Sequence, residues 1–257
     1  MGVLEVDLPA PHVVRLTISN PAKRNALDRP ILDALADTLP RLDARCVLLT
    51  GDGDVFSAGY DIGDLAPERL AEEAAELVAH PFQNALEALD AVAVPVVAAL
   101  NGHAIGGGLE LAVSCDLRVA ASGARMGMPP GRLGLVYSHT GLRRFIDAVG
   151  ASRTRELFLT GRLIEADVAA SWGLVNEVVP FEELAARGVS LASEVAALAP
   201  LSQRGNKRVL RELLSASLDE RVLRELHTLR EGAFRSEDFA EGVRAFVEKR
   251  PPEWKGR

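Results

Sequence analysis

Val97-Ala-Ala-Leu100 followed by Asn101-Gly-His-Ala-Ile-Gly-Gly-Gly-Leu-Glu-Leu111 is the stretch that organises the reading of this chain. The apolar run Pro95–Leu100 has no polar alternation, as a parallel strand buried on both faces requires. The glycine triplet Gly106–Gly108 then lets the backbone turn sharply into a helix that carries Glu110 in its first turn. A second unit of the same kind lies upstream. Cys46-Val-Leu-Leu-Thr50 reads as a buried strand and enters Gly51-Asp-Gly-Asp-Val-Phe-Ser-Ala-Gly-Tyr-Asp-Ile-Gly63, a loop too long for a plain turn. Two readings of the glycine loops stay open: tight turns where backbone packs closely, or two exposed N–H groups, one from each loop, aimed at a single oxygen.

Around these units, His12–Ile18 and Cys115–Ala120 read as strands, and Asp28 and Pro30 open a helix to about Leu39. Another helix is expected over Ala66–Leu89. Beyond about residue 140 helical patterns take over: Thr154–Leu159 closed by Gly161, Glu165–Trp172 closed by Gly173, and stretches from Phe181, Ser202, Leu218 and Ser236. The last sets Phe239, Val243, Phe246 and Val247 on one face and stops at Pro251-Pro252, and this face is expected to bury itself in an oligomer.

The chain has 257 residues, of which 48% are hydrophobic and 25% charged, an ordinary globular composition that excludes wholesale disorder. Its 29 basic against 36 acidic residues leave a net charge of −7, unfavourable for covering nucleic-acid phosphates. The basic group Arg204, Lys207, Arg208 and Arg211 reads as a solvated helix face before it reads as an RNA site. Two cysteines, Cys46 and Cys115, make neither a disulfide framework nor a four-thiolate zinc site. A reducing, cytoplasmic setting is therefore expected. The start lacks a basic segment and apolar run, and Val6 stands where a myristoylation signal wants Ser or Thr. Ala91–Leu100, the longest apolar run, contains Pro95 and falls well short of the ~20 residues of a membrane span. Phosphate-loop, dinucleotide-fingerprint and nucleophile-elbow patterns are absent, and the histidines show no metal-ligand pairing.

Asn20-Pro, Asn25-Ala-Leu27, Phe56-Ser-Ala-Gly-Tyr-Asp-Ile62, Val97 through Leu111 and Cys115-Asp116 together resemble the crotonase (enoyl-CoA hydratase/isomerase) superfamily. Leu159-Thr-Gly161, Gly173-Leu-Val175 and Phe246-Val-Glu-Lys-Arg250 extend the resemblance over nearly the whole chain. It implies an α/β fold, a spiral of ββα turns with a helical C-terminal part: residues 1–195 as the core and 196–257 as a trimerisation region, assembled as a homotrimer or hexamer. It implies an acyl-CoA substrate, coenzyme A entering as part of that substrate with no separate cofactor or metal, and an enolate held by the N–H groups of Ala58 and Gly107. Lys23 and Arg24 would line the CoA end, with backbone from Gly59, Tyr60, Asp61 and Ile62. Glu110 matches the first of the two hydratase glutamates.

The second glutamate is missing. In Met126-Gly-Met-Pro-Pro-Gly-Arg132, Pro130 stands in its place, and proline neither gives nor takes a proton. Downstream, Leu133-Gly-Leu-Val-Tyr137 resembles the methylmalonyl-CoA decarboxylase branch, which implies Tyr137 in the acyl pocket; the polar residue that branch carries before its proline is not retained. Loss of CO₂ generates its own enolate and needs no base, only an oxyanion hole, a dry wall (Pro129, Pro130, Leu135 and Val136 are expected) and a later proton donor. The alternative is hydration or isomerisation by Glu110 with a substitute acid from Asp61, Asp116 or His139.

Overall fold

The computed structural model describes residues 1–61, 76, 80–214, 220–250, 252 and 253. Two sheets organise them. The larger runs β1(Val3–Ala10)–β2(Val13–Ser19)–β3(Cys46–Gly51)–β5(Val96–Leu100)–β7(Leu117–Ala121)–β10(Glu177–Val179). β1 and β2 are antiparallel and the remaining pairs parallel. The smaller sheet runs β4(Val55–Ser57)–β6(His103–Ile105)–β8(Arg125–Gly127)–β9(Leu163–Glu165), parallel except for β9.

Chain order explains the architecture. β3, β5 and β7 each join the large sheet and are each followed by a short strand, β4, β6 or β8, that joins the small one. Each pass of the chain thus adds one strand to each sheet before a helix returns it, which is the spiral of ββα turns.

The central strands β3 and β5 of the large sheet are buried on both faces, which is why they read as apolar runs in sequence. Val47, Leu49, Val96, Ala98 and Leu100 point into the main core, packed with α1(Arg29–Thr38) and α2(His80–Ala91). Their neighbours Cys46, Leu48, Val97 and Ala99 point the other way, onto Leu184, Ala192 and Ala196. These three belong to α6(Phe181–Ala196). Asp28 starts α1 by accepting from Ile31 N at 3.1 Å.

Glycine placement fixes the remaining elements. α3(Gly107–Val113) lies against β4 so closely that a Cβ on Gly108 would stand 2.6 Å from Ser57 Cβ. α4(His139–Thr160) is longer than its sequence pattern suggests; Gly150 (φ 74°) kinks it and Gly161 (φ 61°) ends it. α5(Ala166–Ser171) follows β9. The helical C-terminal part comprises α7(Pro200–Leu214), α8(Glu220–Phe234) and α9(Glu237–Glu248).

The apolar face of α9 differs from its expected use. Phe239 and Val243 are buried within the chain, clustered with Phe234 and against Leu135, whereas Phe246 and Val247 remain more than half exposed. The short 3-10 turn Pro130–Leu133 comes up against α9, where Gly242 leaves no room for a Cβ beside Leu133. Two of the four cations of the basic group are tied to the body of the protein: Lys207 Nζ donates to Asp116 Oδ2 at 2.7 Å, and Arg211 donates to the Asp90 carbonyl. Among the described residues no single helix is long and apolar enough to cross a membrane.

Candidate active site

Two buried asparagines hold the first glycine loop. Asn25, itself left-handed (φ 55°), donates from Nδ2 to the carbonyls of Asp52 and Val55 at 2.8 and 2.6 Å. Asn101 donates to Gly53 O at 2.8 Å and accepts from Gly51 N at 3.1 Å. Each satisfies backbone groups that a loop leaves without ladder partners. The loop then crosses Leu27, whose N–H donates to Gly59 O at 2.7 Å and whose carbonyl accepts from Asp61 N at 3.3 Å. This short bridge aims the Tyr60 side chain inward.

The amide of Ala58 is engaged, which corrects one expectation. It donates to the carbonyl of Arg24 at 3.1 Å, so it does not stand open for a ligand oxygen. The physical reason is the left-handed turn at Arg24 (φ 52°), which rotates that carbonyl toward the loop. Gly59 N is also engaged, by Ser57 Oγ at 3.2 Å. Gly107 differs. As the first residue of α3 its N–H has no intrahelical acceptor, and it takes part in no hydrogen bond among the described residues. Lys23 Nζ donates to Asp61 Oδ2 at 2.6 Å, closing the rim between the two expected CoA-binding segments. Arg24 is exposed on that rim, and Ile62 lies outside the described residues.

α3 is anchored at both ends. Gly106 N donates to Gly127 O at 2.9 Å, and at the far end the buried guanidinium of Arg118 donates to Cys115 O at 2.6 Å and to Ala112 and Val113 O at 3.4 Å. Its Nε donates to Leu174 O at 2.7 Å. A cation at a helix C-terminus is favourable, and carbonyls replace much of the water the charge has lost, although burial still lowers the Arg118 pKa.

Glu110, in the first turn of α3, is 2% exposed. The Tyr137 hydroxyl donates to its Oε2, and Tyr60 lines the same pocket. Burial, reinforced by the Glu110 charge, raises the Tyr137 pKa well above its ordinary value, so this phenol stays protonated and acts as a donor. Aromatic edges fix both rings: Tyr60 meets Phe82 at 4.9 Å and 90°, and Tyr137 meets Phe158 at 5.3 Å and 67°. Arg144, paired with Asp90 at 2.8 and 2.5 Å, is a part-buried cation within electrostatic reach of Glu110.

Around Glu110 and the two tyrosines, Phe82, Leu86, Leu135, Val136 and Phe234 wall a pocket, with Gln83 and Ser138 as the other polar groups. Leu135 and Val136 stand in the wall as expected, but Pro130 does not: it is buried at the start of the 3-10 turn and lines no part of the pocket. Asp61, Asp116 and His139 are likewise absent from the lining. Asp116 is held by Val96 N and Lys207 Nζ, both at 2.7 Å. Sequence reasoning gave no role to Asn25, Asn101 or Arg118, nor to the Tyr60 side chain. Asn25 and Asn101 were visible only as letters in a motif.

An acid and a phenol in an apolar pocket, beside a helix that presents an open N–H, define a site for stabilising negative charge that develops on a bound carbonyl. The family model described as enoyl-CoA hydratase/isomerase matches residues 10–257, and the chain belongs to this family, the crotonase superfamily. It is similar to 2,3-dehydroadipyl-CoA hydratase of Escherichia coli (strain K12), 34% identical over 252 residues covering 96% of each chain. It is also similar to the probable enoyl-CoA hydratase echA8 of Mycobacterium tuberculosis (strain CDC 1551 / Oshkosh), 32% identical over 246 residues and 94% of each. Among solved structures, methylmalonyl-CoA decarboxylase in complex with 2-nitronate-propionyl-CoA superposes with a TM-score of 0.89 at 28% identity, covering 99% of this chain and 98% of that one. An enoyl-CoA hydratase/isomerase from Pseudoalteromonas atlantica T6c gives 0.84 at 34% identity over 98% and 99%.

Proposed function

We propose that the protein binds an acyl-CoA thioester and decarboxylates a malonyl- or methylmalonyl-type ester through an enolate. The observation that carries this reading is the acid content of the pocket: among the described residues Glu110 is the sole carboxylate in the lining, and Tyr137 already occupies its Oε2. Adding water across a double bond asks for a base on the water and an acid at the α-carbon. Decarboxylation asks for neither at the start. The bond between the α-carbon and the carboxylate breaks, CO₂ leaves, and the electron pair moves onto the thioester oxygen. Gly107 N–H meets that oxygen. The α-carbon then takes a proton from the Tyr137–Glu110 pair, and water restores it, so each CO₂ released consumes one proton. Because Glu110 shares its charge with a phenol, the anionic substrate does not face a bare carboxylate.

Lys23 and Arg24, with backbone of Gly59, Tyr60 and Asp61, bind the CoA end in this reading. A second reading, hydration or isomerisation of an enoyl-CoA with Glu110 as base, draws support from the hydratase names of the sequence relatives. A panel of CoA esters followed by mass spectrometry separates the two. Loss of CO₂ from a malonyl-type ester, lowered ten- to a hundredfold by Tyr137→Phe, is the expected result, since a hydrogen bond to a charged group contributes roughly 1.5–3 kcal/mol. Rapid water addition to crotonyl-CoA with malonyl esters untouched would reject decarboxylation. Self-association as a trimer or hexamer belongs to the same proposal. It is supported by exposed apolar residues on α7, Leu201, Val209 and Leu210, and light scattering that finds a monomer would remove it.

A further inference from the structure

Ser138 lines the pocket next to Tyr137 and caps the start of α4, where its Oγ accepts from Gly141 N at 3.0 Å. It also accepts from Thr140 Oγ1 at 3.3 Å. A hydroxyl has two lone pairs and one proton. Both lone pairs are thus engaged, and among the described residues the proton goes to no acceptor. The Thr140 contact is longer than the roughly 2.5–3.0 Å usual between two oxygens, so it does not hold that proton against a charged ligand. Other donors of the lining are committed: Tyr137 gives its proton to Glu110 Oε2, and the Gln83 amide donates to Glu87 Oε1 at 2.9 Å.

Glycine surroundings locate this hydroxyl within the pocket. A Cβ on Gly107 would stand 2.7 Å from ring carbons of Tyr60, whereas a Cβ on Gly141 would stand 2.6 Å from Tyr137 Cε1, 2.7 Å from Glu110 Oε1 and 2.9 Å from Ser138 Oγ. Gly107 and Tyr60 therefore mark one end, where the thioester oxygen is held, and Ser138 stands at the other with Glu110 and Tyr137. Gly107 and Glu110 are one turn of α3 apart, about 5 Å along its axis, which suits a thioester and the carboxylate on its α-carbon. We propose that Ser138 binds the carboxylate of the malonyl-type ester, its O–H donating to one carboxylate oxygen. The proposal rests on the decarboxylase reading. The positive end of the α4 dipole favours an anion at the same place. Because the carboxylate leaves as neutral CO₂, this bond weakens as the reaction proceeds, so Ser138 holds the substrate rather than speeding bond breaking.

Two thioethers isolate the carboxylate in a calorimetric binding experiment: 2-carboxypropyl-CoA, which has no thioester carbonyl to receive electrons and so keeps its CO₂, and isobutyl-CoA, which has a methyl group in the carboxylate's place. Ser138→Gly removes the hydroxyl at little cost to the start of α4, since glycine caps a helix nearly as well as serine, and Ser138→Thr keeps both hydroxyl and cap. Ser138→Gly is expected to weaken 2-carboxypropyl-CoA by roughly ten- to a hundredfold, the range of a hydrogen bond to a charged group, and isobutyl-CoA by less than about twofold. Ser138→Thr is expected to restore binding of the acid. In turnover of a malonyl-type ester, Ser138→Gly is expected to raise KM without lowering kcat. Equal weakening of both thioethers, together with a lowered Tm, would leave Ser138 a helix cap alone and overturn the proposal. Unchanged binding of 2-carboxypropyl-CoA, or a loss confined to kcat, would overturn it as well. In each of these cases the decarboxylase reading stands as long as the native protein releases CO₂ from a malonyl-type ester. Native protein that releases none would remove that reading and the proposal with it.

Discussion

Gly141→Ala separates stability from site geometry in one substitution. Gly141 sits in the first turn of α4, where a Cβ would stand 2.6 Å from Tyr137 Cε1, 2.7 Å from Glu110 Oε1 and 2.9 Å from Ser138 Oγ. Three contacts inside 3 Å cannot all persist, so the methyl group pushes apart the two residues whose hydrogen bond defines the pocket. Overpacking of this kind costs about 1–3 kcal/mol, while Ala in place of Gly in a helix returns up to about 1 kcal/mol. The net loss is at most about 3 kcal/mol, or up to roughly ten degrees in Tm for a domain of this size. Turnover is expected to fall further, by roughly ten- to a hundredfold, because the bond from Tyr137 to the Glu110 carboxylate is broken or stretched. The assay pairs a thermal melt with steady-state kinetics. Gly205→Ala on α7 serves as the control, since a Cβ there meets nothing within 4 Å and only helix propensity changes. A Gly141→Ala protein with native turnover would refute the claim that the Tyr137–Glu110 geometry limits catalysis.

Lys23→Gln is expected to raise KM for CoA esters a few-fold with kcat nearly unchanged, and the effect should shrink at high salt; a change confined to kcat would argue against a rim role. Glu241 accepts from Arg250, from Glu253 N and from Arg244, which holds its pKa far below the ordinary carboxylate range. A depressed folded value means that its stabilisation is complete above the ordinary range and is lost as pH falls toward the folded value. The Tm gap between native protein and Glu241→Gln is therefore expected to narrow on acidification, and a gap that does not vary with pH would contradict this linkage. Burial pushes both thiols up to about 12. Cys46 and Cys115 are thus expected to resist a disulfide reagent in the native protein and to react on unfolding, which a colorimetric thiol assay follows directly.

The long-range order of the fold was legible where one physical rule dominates. Apolar runs mark β3 and β5 because both faces of the sheet are covered there, and Gly161 and Gly173 mark helix ends because both adopt positive φ. The small sheet was not legible, since β4, β6, β8 and β9 have three residues each and no periodicity shows in three residues. β1 escaped for another reason: Val3, Val6 and Leu8 are exposed, so its pattern does not match a buried face. In the site, Glu110 and Tyr137 were each identifiable, but the bond between them joins positions 27 residues apart and follows from the return of the chain at α4. Pro130 was placed in the wall because it stands where the second hydratase glutamate falls; the 3-10 turn buries it elsewhere. Nothing local to residue 58 announces that Arg24, in a left-handed turn, takes its amide.

Phe234 closes the pocket from α8, far along the chain from the glycine loops. The parts of the site that handle charge, Gly107, Glu110 and Tyr137, are all synthesised before the helix that carries this wall residue, and α9 then clamps Leu135 through Phe239 and Val243. A growing chain thus has its reactive groups in place before the last wall of the pocket is made. Side-chain changes on α8 can accordingly reshape one wall of the pocket without rewriting the residues that carry its charge, so that wall and the charged groups sit in segments of the sequence that can vary independently.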